Sequence, residues 1–166
     1  LNFDIVCNWS NTTHNLIIGG RKVFRDGDWN TICLPFDLTL TGSSFDFGED
    51  VENEEKNLEA RQLTAASITD KTLNLTFSEP VTTLQAGVPY IIKWAVAPQN
   101  IEDPIFLNAT IAKVAACAGS SNEEKVAAFL TNKGYDNGVA GEDRVRFIGT
   151  FGWTRFDKTD TSILHE

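Results

Sequence analysis

Two histidines, three cysteines and one acidic run are the residues through which this chain would do chemistry, and their spacing supports little of it. Triad or general acid–base chemistry needs a histidine within reach of a nucleophile and an orienting carboxylate. His14 lies in a polar segment and His165 near the other end, so no such group forms locally. A zinc site needs ligands in closely spaced pairs, which the scattered Cys7, Cys33 and Cys117 do not offer. Cys33, inside Ile32-Cys-Leu34, reads as a small buried thiol, while a Cys7–Cys117 disulfide stays open in an oxidising compartment. The run from Gly48 to Glu55 lacks the alternating oxygen ligands and distal glutamate of a calcium loop and reads as a solvated loop. Glycan hydrolysis would need one buried and one exposed carboxyl, or two distant loop carboxylates meeting in a groove. The glycine pairs Gly19-Gly20 and Gly149-Thr-Phe-Gly152 lack the strand and Lys-Ser/Thr context of a phosphate cradle and read as turns. The expectation is a chain with no catalytic residue, metal or cofactor.

The tryptophans are more informative, because an indole stacks on sugar rings and anchors protein interfaces. Trp29 and Trp94 flank strong strand patterns and are expected in the core. Trp9, in Asn8-Trp-Ser10, and Trp153, after Phe151-Gly152, have polar or glycine neighbours and are the candidate ligand-binding residues. The competing reading places both indoles as plugs at the ends of a sandwich. Asn-X-Ser/Thr patterns at Asn8, Asn11, Asn74 and Asn108 barely exceed the roughly two expected by chance.

These side chains need a scaffold, and 166 residues with 42% hydrophobic and 22% charged side chains suffice for one folded domain. A net charge of −9 and a pI near 4.7 oppose phosphate backbones, so nucleic acid is not expected as a partner. No apolar run reaches the roughly 18 residues of a membrane span, so no membrane insertion is expected. Without methionine, and with a strand-like Thr161–Glu166 end, the chain reads as a piece of a longer protein.

Runs rich in β-branched and aromatic residues recur between turn signals, which predicts antiparallel strands. They are residues 3–7, 15–18, 22–25, 31–36, 72–77, 89–94, 110–116 and 144–151, and eight strands suit a β-sandwich spanning residues 1–166. Alternation predicts Leu73, Leu75 and Phe77 on a buried face, and Val145 and Phe147 inward between outward Arg144 and Arg146. Asp26-Gly27 predicts a hairpin joining 22–25 to 29–32, and Pro35 predicts an edge or bulge. Ser121 with Glu124 three residues on, and Gly134 at the far end, predict one short inserted helix over about 121–133. A second helix is allowed over Glu54–Leu63.

The segment Arg21-Lys-Val-Phe-Arg-Asp-Gly-Asp-Trp-Asn-Thr-Ile-Cys-Leu-Pro-Phe-Asp-Leu38 resembles one in large exported surface proteins of Bacteroidetes-type bacteria. Leu73–Phe77, Leu84–Trp94, Pro104–Ile111 and Val145–Phe151 continue the match in the same order. The resemblance implies a β-rich module, found beside leucine-rich-repeat or bacterial immunoglobulin-like domains, that is secreted or held at the cell surface. That location, together with the lack of catalytic groups, leads to the expectation of a non-enzymatic structural or adhesive module whose partner is a glycan or a host or neighbouring surface protein. The alternative is a carbohydrate-binding module that holds a glycan through Trp9 and Trp153. Against the family pattern, the stretch from Ser121 to Gly134 looks inserted and the continuation beyond Glu166 is missing, which leaves the domain boundary open. An unpaired strand at that end would offer an edge to a partner strand.

Overall fold

The computed structural model describes residues 3–40, 45–46, 58–94 and 100–151. Within them the fold is mostly strand, every pairing is antiparallel, and no sheet closes on itself. A helix, α1 (Phe3–Asn8), opens it, followed by β1 (Thr13–Ile17), β2 (Lys22–Val23), β3 (Asn30–Ile32), β4 (Leu38–Thr39) and β5 (Phe45–Asp46). Then come β6 (Leu58–Thr69), β7 (Thr72–Phe77), β8 (Thr83–Leu84), β9 (Tyr90–Trp94), β10 (Ile101–Glu102) and β11 (Ile105–Thr110). Helix α2 (Asn122–Lys133), β12 (Tyr135–Asp136) and β13 (Arg146–Phe147) complete it. The largest sheet has the order β3-β9-β6-β7, a second runs β1-β11-β5, and β2-β10, β4-β8 and β12-β13 are separate pairs.

Helix α2 forms for the reasons its sequence states. The Ser121 hydroxyl accepts from the Glu124 N–H at 3.2 Å, while the Glu124 carboxylate accepts from the backbone N–H of Ser120 and Ser121. Val126, Phe129 and Leu130 are its buried stripe. Gly134 ends it with an ordinary φ of −71°, so freedom to turn left-handed is not what requires glycine there. Space is, because a Cβ would lie 2.9 Å from the Phe147 carbonyl oxygen.

Several expected strands took other forms. Residues 3–7 are helical, because Phe3, Val6 and Cys7 stand at helical spacing and turn toward the core while Ile5 stays exposed. The run 110–116 leaves the sheet after Thr110. Ile111 makes a single bridge to Phe36, and Val114–Ala116 form a 3-10 turn that still buries Val114. The helix allowed over Glu54–Leu63 is not formed over its described part, 58–63. Leu58-Glu-Ala-Arg-Gln-Leu63 favours helix locally, but β6 pairs with β9 on one side and β7 on the other, and that pairing overrides propensity. Residues 54–57 lie outside the described set.

The Asp26-Gly27 turn exists, with Gly27 at φ 83° and the Asp26 Oδ1 accepting from the Asp28 N–H at 2.9 Å. It does not make a hairpin. Strand β2 pairs with β10, assisted by a 2.6 Å Lys22–Glu102 ion pair, and β3 pairs with β9, so the turn carries the chain between sheets. The tight hairpin is instead β6–β7. Thr69 faces Thr72 across Asp70 and Lys71, both left-handed at φ 51° and 63°, as a two-residue primed turn requires.

Strand β7 has its expected limits, but Leu75 is 46% exposed and Leu73 and Phe77 are half-buried. Its position outermost in the sheet leaves that face only partly covered. The run 144–151 keeps Val145 buried and its arginines outward, paired with Asp136, although only β13 forms a ladder. The β3 ladder ends at Ile32, so Pro35 lies outside the strand rather than at an edge or bulge within it, and its carbonyl accepts from the Ala112 N–H at 2.8 Å.

Two apolar clusters fill the interior. One gathers Leu34, Phe36, Tyr90, Ile92, Trp94 and Phe106 between strands. The other gathers Val6, Ile111, Val114, Val126, Phe129 and Phe151 under the two helices.

Candidate functional site

The loop after α1 and strand β11 border an open concavity with a polar lining. Trp9 closes the helix by donating its N–H to the Ile5 carbonyl at 3.0 Å, and its own carbonyl accepts from the Thr12 N–H and hydroxyl. The Thr12 hydroxyl meets His14 Nε2 at 2.8 Å, and the His14 ring lies 4.2 Å from the Trp9 indole at 55°. Trp9 is thus held by backbone and by imidazole yet remains 46% exposed, which goes against the reading of it as a plug.

Two residues later Asn11 adopts a left-handed φ of 63° and donates its N–H to the Ile111 carbonyl at 2.8 Å. Strand β11 carries a bulge here. His14 faces Ala109 while Leu16 faces Phe106, so β11 holds one residue more than β1. Asn108 takes up that excess with φ 53°, and its N–H is satisfied by the Asn15 Oδ1 at 3.0 Å. The two asparagines, with Asp37, Thr110 and Lys113, line an open cleft of about 390 Å³ over Ala86, Ile111 and Ala112. The Asp37 Oδ1 accepts from the Ala86 N–H at 2.7 Å, and the Thr110 and Thr13 hydroxyls meet at 2.7 Å. Sequence reading found Trp9 but not the cleft, whose lining comes from four separated segments. The nearest signals were the Asn-X-Thr patterns at Asn11 and Asn108, which carry no geometric meaning alone.

A second exposed aromatic lies on the four-stranded sheet. Trp29, expected in the core, is 42% exposed. Alternation explains it: Ile32 points inward, so Thr31 and Trp29 take the outer face. The guanidinium carbon of Arg61 and the ammonium of Lys93 each lie 5.9 Å from the Trp29 ring centroid, within cation–π range. Glu59 faces Lys93 across the ladder and also binds the Arg61 guanidinium. Trp94, by contrast, is 2% exposed and belongs to the core as expected. The other candidate, Trp153, lies outside the described residues, as do His165 and the acidic run 48–55.

The three cysteines are free thiols. Burial pushes Cys33 up to about 12, so it stays protonated at neutral pH and packs as the sequence predicts. Burial also raises Cys7, partly offset by Lys125, and its thiol lies 3.7 Å from the Asn122 carbonyl. Cys117 is half-buried. Among the described residues no group of three or more His, Cys, Asp or Glu side chains could hold a metal ion. No helix among them is long and apolar enough to cross a membrane. No protein-family model, no curated protein and no solved structure matches this chain.

Proposed function

We propose that this chain is a non-enzymatic adhesive module of an exported cell-surface protein, and that it makes contact through the outer face of the β3-β9-β6 sheet around Trp29. One observation carries the reading: a 42% exposed indole flanked by Arg61 and Lys93 on the four-stranded sheet. Tryptophan and arginine are enriched at the energetically important positions of protein interfaces, and side chains held on a hydrogen-bonded sheet lose little backbone entropy on binding. The resemblance of residues 21–38 to exported surface proteins agrees with this role. The partner is a host or neighbouring surface protein. Surface plasmon resonance against immobilised mucins and matrix proteins tests it. Trp29→Ala should weaken the captured interaction at least tenfold while leaving the far-ultraviolet spectrum unchanged. Binding indifferent to Trp29, or substrate turnover that disappears with a single carboxylate substitution, would overturn the reading.

A second reading is carbohydrate binding, favoured by the exposed Trp9 on the same loop as Asn11 of the cleft. An indole beside convergent amide and hydroxyl groups suits a sugar, whose C–H face stacks while its hydroxyls hydrogen-bond.

A further inference from the structure

Resting on the carbohydrate reading, we infer that the cleft between the α1–β1 loop and the β11 bulge is a subsite for one neutral sugar ring. The cleft's volume, about 390 Å³, falls within the roughly 300–1,000 Å³ of small-ligand sites. Its charges balance, one carboxylate at Asp37 against one ammonium at Lys113, so a ligand with fixed charge gains from one and loses to the other. Its remaining groups match vicinal hydroxyls, because each amide offers both a donor and an acceptor, and Thr110 adds a hydroxyl. Among the described residues the side-chain amides of Asn11 and Asn108 and the Lys113 ammonium have no hydrogen-bond or ion-pair partner, so their capacity faces the cleft or water. Ile111, Ala86 and Ala112 give an apolar floor for the C–H face of a pyranose.

The lining is also held in place before a ligand arrives, which lowers the entropy lost on binding. Asn11 is tied to Ile111 through its backbone, Asn108 is held by the bulge and by Asn15, and Asp37 is held by the Ala86 N–H. Both asparagines sit at positive φ, a conformation uncommon outside glycine, and both border the same cleft. Local conformations of this kind collect at binding sites, and here they bring two amides to one concavity. Trp9 does not line the cleft, so the subsite is distinct from the indole, which would meet a neighbouring ring of a longer glycan.

The test is a glycan array carrying neutral and acidic oligosaccharides, followed by saturation-transfer NMR with the monosaccharide units of any ligand bound. Asn11→Gly and Asn108→Gly remove the amides while keeping the left-handed backbone, and Asp37→Asn keeps the acceptor for Ala86. Leu75→Thr, on the exposed β7 strand, is the control. Neutral glycans should bind, and each of the three cleft variants should weaken binding at least tenfold with melting temperature and the control unchanged. Binding that survives all three overturns the subsite and leaves the carbohydrate reading standing. Binding confined to acidic glycans overturns the neutral-sugar assignment. Silence across the array removes subsite and carbohydrate reading together, leaving protein adhesion at Trp29.

Discussion

The two apolar clusters differ in the elements that line them, strands in one and mostly helices with the segment entering α2 in the other. The strand cluster joins Leu34 and Phe36, from the segment after β3, to Ala60, Tyr90, Ile92 and Trp94 of one sheet and Phe106 of another. The helix cluster takes most of its lining from α1, α2 and the segment that enters α2. Both clusters close long loops, for the strand cluster runs from Ile18 to Ala109 and the helix cluster from Val6 to Phe151, with Cys7 of α1 reaching Asn122 of α2 across 115 residues. The two clusters meet along a seam where Leu16 packs against both and Phe36 bridges Ile111. At that seam Gly87 donates its N–H to Leu34 at 2.8 Å on one side and faces the Phe129 ring on the other.

The sharpest way to break this picture is Phe36→Ala. Phe36 is fully buried and packs edge-on against Phe106, with ring centroids 4.9 Å apart, so the truncation should cost about 3–5 kcal/mol. Urea unfolding read by fluorescence in a background with Trp9, Trp29 and Trp153 replaced by phenylalanine, leaving Trp94, and by helical circular dichroism should lose both clusters in one transition. If the helical signal persisted after the Trp94 signal had gone, the clusters would be independent units and the seam without consequence.

The seam itself is probed by Gly87→Ala. A Cβ there would lie 2.4 Å from the Phe129 ring, and Gly87 has a left-handed φ of 76° that alanine resists. Overpacking of this kind should cost about 1–3 kcal/mol. Phe129→Leu in the same chain should return part of that loss, and a thermal-melt double-mutant cycle with no coupling between the two would show that the clash is relieved elsewhere.

How much of this was legible beforehand follows the same division. Helix α2 could be read because its signals are local: Ser121, Glu124 and Gly134 act within one segment. So could β9, which falls within the strand read over 89–94 and buries Trp94 as expected. What stayed hidden depends on partners far away. Leu58–Leu63 has helical propensity and becomes strand only because β7 and β9 flank it, and Lys22–Val23 finds β10 rather than its sequence neighbour. Trp29 was misplaced by a local cue, since a tryptophan beside a strong strand suggests core, whereas the face it takes is set by which residues of β3 point inward. The cleft was illegible because its lining comes from segments around Asn11, Asp37, Ala86 and Asn108–Lys113, which only the fold brings together.

The smallest effect belongs to the local signals of the helix cluster. Ser121→Ala removes the acceptor for the Glu124 N–H and should cost about 1 kcal/mol. The partner half of the box adds a pH dependence. Hydrogen bonds from the Ser120 hydroxyl and from the Ser120 and Ser121 N–H groups hold the Glu124 carboxyl below the usual carboxylate range. A carboxyl lowered on folding contributes stability above its unfolded value, and that contribution fades as pH falls through the lowered folded value. Glu124→Gln should therefore melt below the native chain at neutral pH, and the gap should narrow on acidification from about pH 4 downward. Asp136, lowered by the Arg144 guanidinium and the Gly138 N–H, destabilises the native chain over the same range but leaves this difference untouched. A gap between Glu124→Gln and the native chain that stays constant down to pH 2 would mean that the carboxylate's charge contributes nothing to the cap, and that the geometry of Ser121 alone holds the start of α2.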